Sequence, residues 1–496
     1  MMPDFSVAII GAGFGGIGMA AGLKRAGIGD LVLLERGEAL GGTWRDNSYP
    51  GAACDVPSHL YCFSFAPNPE WSRSFSPQPE IWDYLQRVAD DEHVTEHIRF
   101  GRDVTAARWD ADGSLWHIET QGPGGETGSL TARFLVSAAG PLSNPMIPAI
   151  PGLDSFAGTV FHSATWDHSH DLTGRKVAVI GTGASAIQFV PQIQPKVGRL
   201  YLFQRTPPWI IPRWDRAITP LERWLFRRLP VTQKVARAGI YWFREGYALG
   251  FVKRPDIMTA IQRIARHHLY RQVSDPALRT ALTPAYRMGC KRILISNDFY
   301  PALSQPNVSV VTDGIAEIRD KSIISRDGTE REIDTIILGT GFHVTDFPVA
   351  QRIYDAGGRS LASLWSSADS PGAFRGTTTA GFPNLFVLTG PNTGLGHSSQ
   401  VFMIEAQIRY ITGAVAHARG QGAVRVEVRP GAQAAYDRSL QKKMKRTVWI
   451  TGGCSSWYLD EAGRNVTLWP DFTWAFAWQT RRFDAASYDV RLPHPQ

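Results

Sequence analysis

Two stretches in which an apolar strand runs into a glycine-rich turn and then a helix predict an α/β fold built on two Rossmann-like units. A third stretch, about 215–288, loses the strand pattern and predicts a helical insertion. The ends of corresponding strands in the two units carry opposite charges, which predicts two different dinucleotides. With 496 residues, the chain is long enough for two or three domains, each with its own core.

The first unit opens on Phe5-Ser-Val-Ala-Ile-Ile10, a buried strand. Gly11-Ala-Gly-Phe-Gly-Gly16 then supplies G-x-G-x-x-G, and 17–26 reads as a helix. Gly11 permits the tight turn, Gly13 lets backbone approach a pyrophosphate, and Gly16 lets helix pack on strand. The helix N-terminus presents free N–H groups and a positive dipole end to the phosphates. Leu31-Val-Leu-Leu34 is the second strand, and Glu35, 19 residues past Gly16, is placed to bind ribose hydroxyls.

Residues 102–136 alternate apolar and polar positions around a glycine-rich turn, the pattern of an antiparallel meander. Phe134 to Gly140 reads as a further strand ending in small residues, and Pro141, Pro145, Pro148 and Pro151 mark a hinge. The second unit begins at Lys176-Val-Ala-Val-Ile180, followed by Gly181-Thr-Gly-Ala-Ser-Ala186, a G-x-G-x-x-A turn containing Gly183 and Ser185. A helix continues to about 193, and Leu200-Tyr-Leu-Phe203 is the next strand. Arg205, followed by Thr206, stands where an NAD site carries an acid; an arginine there suits a 2′-phosphate and selects NADPH.

In the insertion, 221–228 and 240–251 read as helices with aromatic faces and basic flanks. The expectation is core packing over a substrate entrance, with peripheral membrane contact as the alternative. Strands at 307–311 and 334–342 close the second unit. Asn384 to Leu388 then leads through Gly390-Pro-Asn-Thr-Gly-Leu-Gly-His397 into a helix over 402–416.

Composition excludes several classes. Hydrophobic residues at 43% and charged residues at 20% describe a globular chain. The net charge of +7 is mild and has no dense basic run, which argues against nucleic-acid binding. The apolar start lacks the basic segment of a signal peptide, and no run of about 18 apolar residues is long enough to span a membrane. Cys54, Cys62, Cys290 and Cys454 form no C-x-x-C and no metal-ligand spacing. They are expected to be free thiols in a reducing cytoplasm, with no metal and no disulfide-reductase chemistry.

Four further segments carry a family resemblance. Gly41-Gly42-Thr43-Trp44, Tyr49-Pro-Gly51 and Asp55 resemble the G-G-x-W-x-x-x-x-Y-P-G-x-x-x-D segment of class B flavin monooxygenases. Phe156, Gly158, His162, Trp166 and Asp167 fit F-x-G-x-x-x-H-x-x-x-W-D, which resembles the fingerprint of type I Baeyer–Villiger monooxygenases at every specified position. Gly289-Cys-Lys291-Arg292 resembles that family's lysine–arginine segment, and Trp457 a tryptophan that contacts its nicotinamide cofactor.

The resemblance implies FAD in the first unit and NADPH in the second. It also implies oxygen insertion beside a ketone carbonyl through a C4a-peroxyflavin, giving an ester or lactone. An N- or S-oxygenating flavin-containing monooxygenase is the alternative, and a sulfide the alternative substrate to a ketone. Arg292 and Asp55 are implied in catalysis, Lys291 in holding the 2′-phosphate, and 156–167 in gating. The expected organisation is 1–145 for FAD, 146–175 as linker and hinge, 176–333 for NADPH, and 334–496 returning to the FAD domain.

Overall fold

The computed structural model describes residues 2–254, 256–344, 348–367, 372–454, 456–460 and 462–493. The chain is α/β and is organised around two sheets with parallel cores.

In the eight-stranded first sheet, Phe5–Ile10 lies between Leu31–Leu34 and Thr127–Ser137, parallel to both. Strands at this position are covered on both faces and therefore read as unbroken apolar runs. Helices Phe14–Arg25 and Gln400–Gln421 share one core with one face. Trp109, Trp116, Phe382 and Trp365 belong to the core on the other. Asp103–Asp110, Leu115–Gln121 and Thr127–Ser137 form the antiparallel meander that the alternation predicts. Leu385–Val387 returns from late in the chain to pair with Thr127–Ser137.

The second sheet has five parallel strands in the order Val308–Val311, Arg199–Phe203, Lys176–Ile180, Thr335–Leu338 and Thr159–His162. Two sequence expectations change here. The middle of the 156–167 segment, read as a hinge, is the edge strand Thr159–His162. Thr335–Leu338 lies inside this sheet, so a boundary placed before residue 334 falls one strand early. Neither strand contacts its partners locally in sequence, and only sheet assembly assigns them.

The insertion contributes helices Pro220–Arg228 and Pro230–Ala248. Pro220 and Pro230 stand in their first turns, where the missing N–H costs nothing. The expected core packing of their aromatic faces is overturned in part: Trp224, Trp242 and Phe243 are exposed. The expectation of four free thiols is also corrected. Cys290 and Cys454 form a disulfide across 164 residues, while Cys54 and Cys62 are free and buried. Spacing carried no sign of that pair because the fold alone brings the two segments together. Among the described residues, no helix is long and apolar enough to cross a membrane.

Candidate active site

The two glycine turns sit at the C-terminal ends of their parallel sheets, the place where open α/β folds receive ligands. A Cβ on Gly16 would lie 1.9 Å from the Gly11 carbonyl oxygen, so only glycine lets this helix pack so closely on its strand. Helix Phe14–Arg25 starts at Gly13 with no side-chain cap and no acid in its first turn. Its N–H groups and dipole are therefore free for an anion. Helix Ala186–Ile193 starts in the same uncapped way after Ser185, and open space surrounds the Cβ position of Gly183. Both turns fit a dinucleotide pyrophosphate.

The ends of the adjoining strands differ as the sequence expects. Glu35 is buried and accepts hydrogen bonds from the Ala12 and Gly37 N–H groups, with Arg45 at 2.8 Å. Arg205 is exposed in the second unit, beside Thr206, whose carbonyl accepts from Thr182. Burial lowers the Lys291 pKa, and the nearby Arg205 lowers it further. No carboxylate pairs with either cation among the described residues. Two like charges within electrostatic reach of one another, without an acid, form a site that fits a 2′-phosphate.

Between the units lies a two-point charge pair. Arg292 donates from Nε and Nη2 to the two Asp55 carboxylate oxygens at 2.8, 2.8 and 2.6 Å. Only a third of the arginine side chain and a quarter of the aspartate side chain remain exposed. Burial pushes the Asp55 carboxyl up, but the Arg292 charge and its hydrogen bonds outweigh this and hold it below its ordinary value. Asp55 in turn pushes Arg292 upward, so both groups are charged at any working pH.

Each partner comes from a different unit. The Asp55 loop is pinned by Cys54 N–H to Ser76 and by Gln78 N–H to Ala52. It is then clamped to the second unit: Gln188, on helix Ala186–Ile193, accepts from the Tyr49 hydroxyl and donates to the Ala53 carbonyl, both at 2.9 Å. Arg292 precedes the short strand Leu294–Ile295, which pairs with Ile210–Ile211.

Within the glycine-rich loop, Gly42 lies against Gly13, with 3.3 Å from its Cβ position to the Gly13 Cα. The Trp44 indole N–H donates to the Tyr61 hydroxyl at 3.1 Å, and the Thr43 hydroxyl faces the Leu142 carbonyl at 3.5 Å. These contacts lay the loop over the first glycine turn.

The 156–167 side chains do mostly packing work. A Cβ on Gly158 would meet the Asp334 carbonyl at 2.4 Å and the Phe156 ring at 2.5 Å, so the glycine is sterically required. Trp166 packs on Phe161 and Phe189, and Asp167 accepts from the Ser169 N–H and hydroxyl. His162 is different. Its Nδ1 accepts from the Ala164 N–H, while its buried Nε2 has no partner. Burial lowers its pKa, which keeps it neutral near pH 7.

Two residues here were missed in the sequence. Arg244, on helix Pro230–Ala248, donates to the Asp55 carbonyl at 3.3 Å, and its buried Nε has no partner. Tyr458 is fully buried with an unpartnered hydroxyl, in the electrostatic reach of Arg292 and Asp55, and burial pushes its pKa up to about 12. Nothing local distinguishes either from an ordinary helix or loop residue. Trp457 is exposed and edge-on to Tyr458, with ring centroids 4.4 Å apart.

Residues 5–244 match the model of the flavin-binding monooxygenase-like family. A Baeyer–Villiger monooxygenase of Streptomyces coelicolor is 53% identical over 99% of this chain and 93% of its own. One of Pseudomonas aeruginosa is 50% identical over 98% and 91%. Among solved structures, closed cyclohexanone monooxygenase superposes with a TM-score of 0.86 at 26% identity, covering 99% of this chain and all of that one. An oxidized steroid monooxygenase bound to NADP gives 0.85 at 28%, with the same coverage. At 53% and 50% identity to these two relatives over nearly its whole length, the chain belongs to the Baeyer–Villiger monooxygenases and is a flavoprotein monooxygenase using FAD and NADP.

Proposed function

We propose that the chain inserts one oxygen atom of O2 next to the carbonyl of a small-molecule ketone, giving an ester or lactone. The observation that carries this reading is the Asp55–Arg292 bridge between the two nucleotide turns. When bound, NADPH supplies a hydride and FAD the chemistry that activates O2.

The chain's own residues then have distinct tasks. Arg292 is a fixed cation beside developing negative charge, and a guanidinium cannot surrender its proton at a working pH. Asp55 holds that guanidinium in one orientation by a two-point contact. Because Asp55 and Arg292 neutralise one another, Arg244 leaves the site with a net positive charge. His162, neutral and buried, is assigned to gating with Phe156, Gly158, Trp166 and Asp167, not to proton transfer. Gly11, Gly13, Gly16, Glu35, Gly42, Thr43 and Trp44 are assigned to FAD. Gly181, Gly183, Ser185, Arg205, Thr206, Lys291 and Trp457 are assigned to NADPH. We keep 1–145 for FAD and 146–175 as linker and hinge, and move the next boundary past Thr335–Leu338, giving 176–338 for NADPH and 339–496 for the return to the FAD domain. We infer cytoplasmic residence from the use of NADPH as reductant.

Product mass after turnover with a panel of linear, cyclic, aromatic and steroidal ketones and a thioether tests the reaction. An ester or lactone is expected, and sulfoxide without ester overturns it. For the reductant, Arg205→Ala is expected to raise KM for NADPH roughly 10- to 100-fold, the worth of one or two charge-assisted hydrogen bonds. KM for NADH should hardly move. Equal losses with both nucleotides would remove Arg205 from the 2′-phosphate.

A further inference from the structure

We propose that the outward face of the helical insertion docks on an anionic phospholipid surface.

Helix Pro230–Ala248 is amphipathic in the inverted sense. Apart from Lys234, its long polar side chains point into the protein: Gln233 donates to the Asn68 carbonyl at 2.7 Å and Arg237 to the His59 and Cys62 carbonyls at 2.9 and 3.0 Å. Glu245 is buried, accepting from Thr473 and standing 3.3 Å from His397. The apolar stripe points outward. Val231, Val235, Ala238 and Trp242 follow at helical spacing, and Val235 and Trp242 are 66% and 62% exposed. An ordinary surface helix does the reverse, because burying the apolar stripe is what stabilises it.

The stripe continues onto helix Thr473–Gln479. Tyr241, beside Trp242, stacks on Phe402 and meets the Thr473 hydroxyl at 3.0 Å. Phe402 in turn lines an open groove of about 570 Å³ with Trp474 and Trp478, the latter 64% exposed. Contiguous apolar surface of this kind marks a membrane or protein contact. Tryptophans flanked by cations are the side chains that settle at the lipid headgroup level.

Charge decides between the two occupants. Of the six Lys and Arg in residues 220–248, Arg237 and Arg244 turn inward and Arg227 pairs with Glu70 at 3.2 Å, which leaves Arg223, Arg228 and Lys234 against two Glu. Neither Glu offsets the outer face: Glu222 pairs with Arg216 at 2.6 Å, and Glu245 is buried. Arg228 and Lys234 are exposed, and Arg481 lies over the Trp478 ring at 3.5 Å. A second copy of this chain, meeting the same face across a two-fold axis, would bring like charges together. An anionic bilayer would not. The inner side of the same helix carries Arg244 into the Asp55 site, so a docked protein holds that site next to the lipid in which an apolar ketone dissolves. That last consequence rests on the proposed function; the docking does not.

Flotation of the full-length, FAD-loaded protein with phosphatidylcholine vesicles, with and without phosphatidylglycerol, tests the proposal. Expected are flotation with the anionic vesicles at low salt, release at high salt, and a blue shift of tryptophan emission. The Trp242→Ser, Trp478→Ser double variant should lose flotation while keeping its FAD content. Arg228→Gln with Lys234→Gln should lower partitioning to anionic vesicles about 25-fold, at about fivefold per cation. Absence of flotation with anionic vesicles at low salt overturns the proposal. So does a concentration-dependent dimer, seen by light scattering, that the tryptophan substitutions dissolve.

Discussion

Arg292→Ala is expected to leave the flavin reducible by NADPH at close to the native rate, while ester formation falls by about 10²- to 10³-fold or more, the cost of removing one preorganised charge donor. The two halves of that result have separate physical origins. The cations assigned to the 2′-phosphate, Arg205 and Lys291, form a pair of their own and remain in place. What disappears is the fixed positive charge proposed to face the reacting oxygen. Arg292 donates three hydrogen bonds to Asp55, and alanine removes all of them. Arg244, whose guanidinium touches the Asp55 backbone, still balances the aspartate charge, so the fold should survive. Arg292→Lys separates charge from geometry: it keeps a cation but loses the planar two-point contact, and should fall between the native protein and the alanine variant. Stopped-flow absorbance reads the reductive step, and product mass reads the oxidative one. Ester formation within tenfold of native in Arg292→Ala would remove the residue from catalysis.

Gly16→Ala is expected to yield protein that is insoluble or retains no FAD, with none restored on adding it. The new Cβ would sit 1.9 Å from the Gly11 carbonyl oxygen and 2.9 Å from its carbon. No rotamer relieves a clash of Cβ with backbone. The helix must therefore move off the strand, and the N–H groups at its start leave the phosphate position. The flavin-to-protein absorbance ratio of the purified variant measures the outcome. Gly420→Ala is the matched control, because its Cβ position meets nothing within 4 Å in helix Gln400–Gln421; it should keep its flavin and gain about 0.5–1 kcal/mol of stability. A flavin-saturated Gly16→Ala protein would mean that close helix–strand packing is not what shapes this turn.

These predictions rest on features of unequal legibility. The two glycine turns, Glu35 and Arg205 could be read directly, since each is a local pattern of turn, helix start and strand end. The meander and the helix now seen at Gln400–Gln421 were legible from period two and period 3.6. Asp55 and Arg292 were legible only through resemblance, because 237 residues separate them and neither segment alone implies the other.

Three features escaped the sequence for related reasons. Thr159–His162 reads as linker because a four-residue edge strand is defined by its partner, Thr335–Leu338. The Cys290–Cys454 bond reads as two thiols because no spacing rule reaches across 164 residues. The insertion's aromatic stripe reads as core because periodicity gives a helix its two faces without saying which one turns inward.

The sequence by itself determined the two nucleotide units and the opposite charges at their ribose positions, and its resemblance to a family implied the reaction. Those features are written in contiguous residues, whose steric and charge demands are met locally. Only the tertiary structure decided that Arg244 and Tyr458 join Asp55 and Arg292, and that the insertion presents its tryptophans to the outside. Both depend on which surfaces meet after the sheets assemble, and burial and charge balance are properties of that assembly, not of any one segment.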